Sequence, residues 1–226
     1  MQRRKRIALY GGTFDPVHVG HLSVARKLLE LFALDEVLFI PAHLAPHKRS
    51  AAVTPPLHRY AMLALATQSE DALRISSIEM DAPERPYTFE TLARLQAEAD
   101  EAAQLFFVMG ADSWAEITTW REWERVLTMT NHIIVARPGY ELGTEHVTEA
   151  VRERIVDVRG VEPAEIARRV DALGGAKIYV TDAVYMNVSA TEIRKSIGEG
   201  NQIWLSLVPE AVADYIEKYK LYRKDL

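Results

Sequence analysis

Short runs of Ile, Val, Leu and Phe alternate along this chain with stretches whose apolar residues fall three and four apart, and this alternation restricts the fold more than any other feature. The runs lie at 7–10, 37–40, 73–78, 105–109, 132–136 and 178–180. Several are almost unbroken in apolar residues, as strands of a sheet covered on both faces must be. Between them, 21–32 sets Leu22, Ala25, Leu28, Leu29 and Phe32 on one helical face, and 57–67, 89–97 and 123–129 read as helices in the same way. Strands joined by helices make right-handed crossovers, so the pattern predicts an α/β fold with a Rossmann-like, doubly wound parallel sheet and ligands beyond the carboxyl ends of its strands.

The 226 residues suit one such domain, 1–226, and can bury a full core. From 138 to 177 the pattern changes to interleaved acidic and basic residues with scattered valines, which reads as an insertion or subdomain; 153–157 and 165–171 have the look of short helices, and Gly174-Gly175 of a stop. The segment from 191 to 226 reads as helical, with an amphipathic helix over 212–222 that ends in an aromatic anchor. A net charge of −5 argues against a general nucleic-acid binder, which needs a basic face. The basic run at 1–6 lacks the apolar core of a targeting peptide and reads as a solvated flank of the first strand. No apolar stretch has the length of a membrane span, and the absence of cysteine excludes disulfides, thiolate metal sites and a cysteine nucleophile. A cytoplasmic protein is expected; homo-oligomer formation stays open.

The chemistry concentrates where the first apolar run ends, in Gly11-Gly12-Thr13-Phe14-Asp15-Pro16-Val17-His18-Val19-Gly20-His21. Strand, glycine turn and helix in that order make a phosphate site. Glycines admit positive φ and close approach of the backbone, and the next helix offers unpaired N–H groups and the positive end of its dipole. His18 and His21 stand at the helix mouth with Gly20 between them, so that no intervening side chain obstructs their rings.

This segment resembles the signature of the nucleotidyltransferases that carry (His or Thr)-x-Gly-His, and within them that of the bacterial nicotinate-nucleotide adenylyltransferases. Later segments resemble the same family in order, over nearly the whole chain. Ser189-Ala190-Thr191-Glu192-Ile193-Arg194 has by itself the form of a capping box at a helix start; hydroxyls and an arginine at a helix N-terminus also suit a polyphosphate. The resemblance assigns it to the ATP phosphates. In Gly110-Ala111-Asp112-Ser113-Trp114, Asp112 reads as a helix cap able to face ribose hydroxyls; the resemblance puts Gly110 and Asp112 on the adenosine and Trp114 on the nicotinate ring. Trp120 and Trp123 read as packing residues.

The loop 41–49 carries His47, Lys48 and Arg49 and reads as a mobile electrostatic lid over phosphates, whereas His43 and His47 lack the further partner that zinc would want. No resident metal site is expected. The family has Pro-Pro-His-Lys where this chain has Ala45-Pro46-His47-Lys48. It has Pro-Ser-Tyr-Thr-x-Asp-Thr-Leu where this chain has Arg85-Pro86-Tyr87-Thr88-Phe89-Glu90-Thr91-Leu92, so the serine and the aspartate are replaced. Thr88 reads as an N-cap, and the resemblance makes Tyr87 and Thr88 candidates for the nicotinate end, with Arg137 beside the mononucleotide.

The activity so implied is attack of the nicotinate mononucleotide phosphate on the α-phosphorus of ATP, in the service of NAD synthesis. The catalytic set is His18, His21 and Arg194. The ATP site adds Gly11, Gly12, Thr13, Phe14, Gly110, Asp112, Ser189 and Thr191, and the mononucleotide site comprises His47, Lys48, Tyr87, Thr88, Trp114 and Arg137. Mg2+ would enter with ATP. Nicotinamide mononucleotide or phosphopantetheine as acceptor, or a silent adenine-nucleotide sensor, are the alternatives. A class I aminoacyl-tRNA synthetase would need a second lysine-rich signature and RNA-binding domains, which are absent.

Overall fold

The structure, a computed structural model, describes residues 4–43, 53–82, 86–100, 102–136, 142–182 and 188–223. Along each central strand, consecutive side chains divide between two hydrophobic cores. Ala8, Phe39, Phe106, Val108, Ile133 and Tyr179 pack into one, and Leu9, Ile40, Phe107, Met109, Ile134 and Ile178 into the other. That division explains the unbroken apolar runs, because the period of two leaves every side chain under a helix.

The elements follow in the order β1 (Arg6–Gly12), α1 (Val19–Leu31), β2 (Glu36–Pro41), α2 (Pro56–Thr67), β3 (Leu73–Ile75), α3 (Thr88–Glu98), β4 (Gln104–Gly110), α4 (Ala111–Ala115), α5 (Trp123–Met129), β5 (Asn131–Val135), α6 (Glu149–Arg152), β6 (Ile155–Asp157), α7 (Pro163–Ala172), β7 (Ile178–Thr181), α8 (Ala190–Gly198) and α9 (Glu210–Lys218). Helices α1, α2, α7, α8 and α9 cover the first core; α3, α4, α5 and α6 cover the second. The strands form one seven-stranded sheet in the order β3-β2-β1-β4-β5-β7-β6, with every recorded pairing parallel. The chain runs outward from β1 to β3 and returns to β4 beside β1, so β1 and β4 flank the switch point where such sheets open a crevice.

Two expectations are corrected here. Residues 153–157 do not form a helix: Ile155–Asp157 is an edge strand that pairs with β7, so the region from 142 to 177 adds a strand to the main sheet. Arg6 is not solvated either. It is fully buried and donates to the carbonyls of Phe32 at 2.8 Å and Ala167 at 3.3 Å and to the Asp171 carboxylate at 2.5 Å, which ties β1 to α1 and α7 at the edge away from the crevice.

Candidate active site at the carboxyl edge of β1 and β4

Gly11 and Gly12 end β1, and neither adopts a positive φ; the left-handed residue of the loop is Phe14, at φ 49°. What demands glycine at position 12 is steric. A Cβ there would lie 2.8 Å from Cζ of Phe14, whose ring folds back under the loop, whereas at Gly11 the nearest atom would be 3.5 Å away. The buried Phe14 ring in turn meets the His21 imidazole edge-on at 5.0 Å between centroids. Its side chain therefore packs His21 in place, and only its backbone lies in the loop expected to bind ATP.

His18 occupies the N-cap of α1, and its backbone N–H donates to Nδ1 of His21 at 3.2 Å. The two imidazoles stack at 3.6 Å between centroids. Gly20 makes room for this: a Cβ would come within 3.0 Å of Nδ1 of His18, as the spacing of the motif implied. Burial lowers the His18 pKa to about 4 and holds that of His21 well below the usual imidazole value, with His18 adding to the latter. Both rings are neutral in the free protein at neutral pH, and Nδ1 of His18 is buried without a hydrogen-bond partner. A polyanion arriving at this mouth would raise both values again and favour the protonated, positively charged rings. One donor expected of α1 is already committed, since the Val19 N–H goes to the Leu207 carbonyl at 2.9 Å.

The second motif folds against the first. Nη1 of Arg194 on α8 donates to the Asp15 carbonyl at 2.6 Å, and Nη2 to Oγ1 of Thr191 at 3.3 Å. Ser189 is the N-cap of α8, but its hydroxyl makes no capping bond, so the expected capping box is not formed. At the end of β4 the N-cap is Gly110, and Asp112 sits exposed in the first turn of α4 instead of capping it. Likewise Tyr87, half exposed, is the N-cap of α3 and Thr88 its first residue; the Glu90 carboxylate accepts the Tyr87 N–H at 2.7 Å.

Trp114 is placed otherwise than a stacking platform would be. It is only 1% exposed, its indole N–H donates to the Gly143 carbonyl at 2.8 Å, and His146 meets its ring edge-on at 5.3 Å. A large apolar ring with one satisfied donor is stable when covered, and residues 142–147 cover it. His47, Lys48 and Arg137 lie outside the described residues. Sequence reasoning missed Arg59, Asp15, Tyr222 and Glu79, all gathered behind the loop. Burial raises the Glu79 pKa, and its carboxylate accepts the His43 N–H at 3.3 Å and the Thr91 hydroxyl at 2.9 Å. A charged residue in an otherwise apolar helical face, as Arg59 is in α2, was the one available signal.

Comparison with known proteins agrees with this geometry. The model of the cytidylyltransferase-like family matches residues 9–196. A protein of Thermoanaerobacter sp. (strain X514), named "Probable nicotinate-nucleotide adenylyltransferase", is 36% identical over 100% of this chain and 98% of its own length. One of the same name from Desulfatibacillum aliphaticivorans is 36% identical over 96% of this chain and 99% of its own. The chain belongs to the nicotinate-nucleotide adenylyltransferase family. The Plasmodium falciparum nicotinic acid mononucleotide adenylyltransferase complexed with NaAD, at 20% identity, superposes with a TM-score of 0.70 over 96% of this chain and 97% of its own, which shows the shared fold. Membership of this adenylyltransferase family makes the chain a nucleotidyltransferase. Among the described residues, no helix is long and apolar enough to cross a membrane.

Proposed function

We propose that the chain joins ATP and nicotinate mononucleotide to give nicotinate adenine dinucleotide and pyrophosphate, a step of NAD biosynthesis. The observation that carries this reading is the meeting of the two motifs: Arg194 reaches the carbonyl of Asp15, next to the histidine pair, across 179 positions of sequence. The 5′-phosphate of the mononucleotide attacks the α-phosphorus of ATP in line, one P–O bond forms, and the bond to the β-phosphate breaks with its electrons leaving on pyrophosphate. The nucleophile is already anionic and needs no general base. What limits the step is the approach of two anions and the charge that accumulates on the phosphoryl oxygens, so positioning and fixed positive potential dominate, and proximity alone is worth on the order of 7–11 kcal/mol.

His18 and His21 take up that charge at the start of α1, the Gly12 and Thr13 amides line the loop, and Ser189, Thr191 and Arg194 hold the far end of the triphosphate. Magnesium enters as the ATP complex, held by phosphate oxygens and water. Oxygen and water ligands of that kind suit magnesium, which gives up its water reluctantly. Gly110 and Asp112 serve the adenosine. Tyr87 and Thr88, at the start of α3, serve the nicotinate end, His47 and Lys48 the phosphates and Arg137 the mononucleotide, and Trp114 stacks on the ring once 142–147 have moved off it.

Pyrophosphate release with ATP and magnesium tests the reading, with nicotinate mononucleotide, nicotinamide mononucleotide and phosphopantetheine as acceptors. The nicotinate acceptor is expected to be turned over far faster than the others. ATP binding without turnover of any acceptor would leave a nucleotide sensor.

A further inference from the structure

Behind the phosphate loop lies a layer of polar side chains that the mechanism above does not use. Arg59 is fully buried, and its guanidinium is committed to backbone. Nε donates to the Thr54 carbonyl at 2.9 Å, Nη1 to the Thr13 carbonyl at 2.7 Å and Nη2 to the His43 carbonyl at 3.0 Å. One planar cation thus gathers carbonyls from three separate stretches of chain, which the fixed fork of an arginine can do and a compact ammonium cannot.

In the same layer the Tyr222 hydroxyl donates to Oδ1 of Asp15 at 2.7 Å, while Oδ2 of that carboxylate accepts the Thr54 N–H at 3.3 Å. Asp15 is buried, and its carbonyl is the acceptor of Arg194. The chain reaches this position after α9 by turning back through left-handed backbone at Lys220, φ 52°, and Tyr222, φ 63°. Residues with side chains are uncommon in that region and need packing to hold them there.

We propose that Arg59 and Tyr222 are positioning residues of the adenylyl-transfer site. They hold the loop from behind, Arg59 at Thr13 and Tyr222 at Asp15, and so set both the loop amides and the guanidinium of Arg194 against the triphosphate. Arg59 also polarises the peptide that joins Thr13 to Phe14, which makes its N–H a stronger donor to an anion. The inference rests on the adenylyltransferase reading. Loosening either hold displaces groups that must align with an in-line transition state, and a misplacement of about 1 Å can cost about a hundredfold in rate.

The test compares wild type with Tyr222→Phe, Arg59→Lys and Arg154→Lys. Arg154 is a matched control: its guanidinium also caps backbone carbonyls, those of Ala176 and Leu127, but it precedes β6, at the edge of the sheet away from the crevice. The readouts are Tm, and kcat and KM for both substrates per folded molecule. Tyr222→Phe, which deletes one hydroxyl, is expected to keep Tm within about 2 °C and to lose about tenfold in kcat. Arg59→Lys is expected to lose at least about tenfold in kcat per folded molecule, and Arg154→Lys to lower Tm with kcat unchanged. Tyr222→Phe and Arg59→Lys enzymes with wild-type kcat per folded molecule, or an Arg154→Lys enzyme that loses as much as Arg59→Lys, would overturn the proposal. A wild-type chain without turnover would overturn the adenylyltransferase reading and this inference with it; active wild type beside equally active variants overturns the inference alone.

Discussion

His18, His21 and His132 are kept neutral by burial, and this has consequences for both stability and catalysis. Burial pushes the pKa of His18 down to about 4 and that of His132 down to about 3, whereas in the unfolded chain both keep the ordinary imidazole value of 6.5. Below pH 6.5 the unfolded chain therefore binds more protons than the native one, and native stability falls as pH drops from there toward 4. Each such histidine contributes a slope of up to about 1.4 kcal/mol per pH unit. His132 is fully buried in β5, remote in role from the phosphate loop, and its Nδ1 meets the Thr130 carbonyl at 3.0 Å. The His132→Leu variant should thus show a flatter fall of Tm between pH 6.5 and pH 4 than wild type; an unchanged slope would mean that this ring is not neutral in the core. For His21 the expected signature is kinetic. Its ring is held by Phe14 and by the His18 backbone, ready for charge that develops only during transfer. His21→Ala should lower kcat by about a hundredfold or more and ATP affinity by much less. Equal losses in both would contradict a role in the transition state.

At the scale of elements, two helices turn their starts toward one loop. The N-cap of α1 is His18, and that of α8 is Ser189, whose hydroxyl leaves the helix uncapped. A cap that bonds its own helix is worth about 1 kcal/mol, so Ser189→Ala should leave Tm almost unchanged. The same substitution should raise KM for ATP several-fold if the hydroxyl serves the nucleotide as proposed; thermal melts and initial rates on one preparation separate the two effects. A large fall in Tm with an unchanged KM would make Ser189 an ordinary cap. The elements themselves were mostly legible. The helix over 123–129 was read to the residue, and the strands at β1, β2, β4, β5 and β7 within two residues of each end. β6 was not, since Ile155–Asp157 is three residues long, partly exposed and flanked by charge, and so short a run carries neither a period of two nor one of 3.6.

In the molecule as a whole, the segment that follows β5 covers Trp114, the ring proposed to receive the nicotinate. Gly143 accepts the indole N–H, the His146 ring nitrogen Nε2 lies 3.0 Å from the Trp114 carbonyl, and Arg152 on α6 steadies the segment by donating to the Val147 carbonyl at 2.8 Å. If the nicotinate ring stacks on Trp114, these contacts must open first. Nicotinate mononucleotide is then expected to speed amide hydrogen exchange over 142–147 and to shift tryptophan fluorescence, and protection of that segment on binding would place the ring elsewhere.

The parallel α/β fold, the glycine loop, the histidine pair and the second motif could be read before any coordinates, because periodicity and glycine spacing are local properties that a chain displays before it folds. Folding alone makes Gly12 answer to the Phe14 ring, covers Trp114, and sets Arg59 and Tyr222 behind the loop, on Thr13 and Asp15. Arg59 meets Thr13 across 46 positions and Tyr222 meets Asp15 across 207, and no local pattern encodes a contact between residues so far apart. Such contacts arise because two cores on opposite faces of one sheet bring the carboxyl ends of its strands to a single edge, where polar groups buried together have only each other to satisfy.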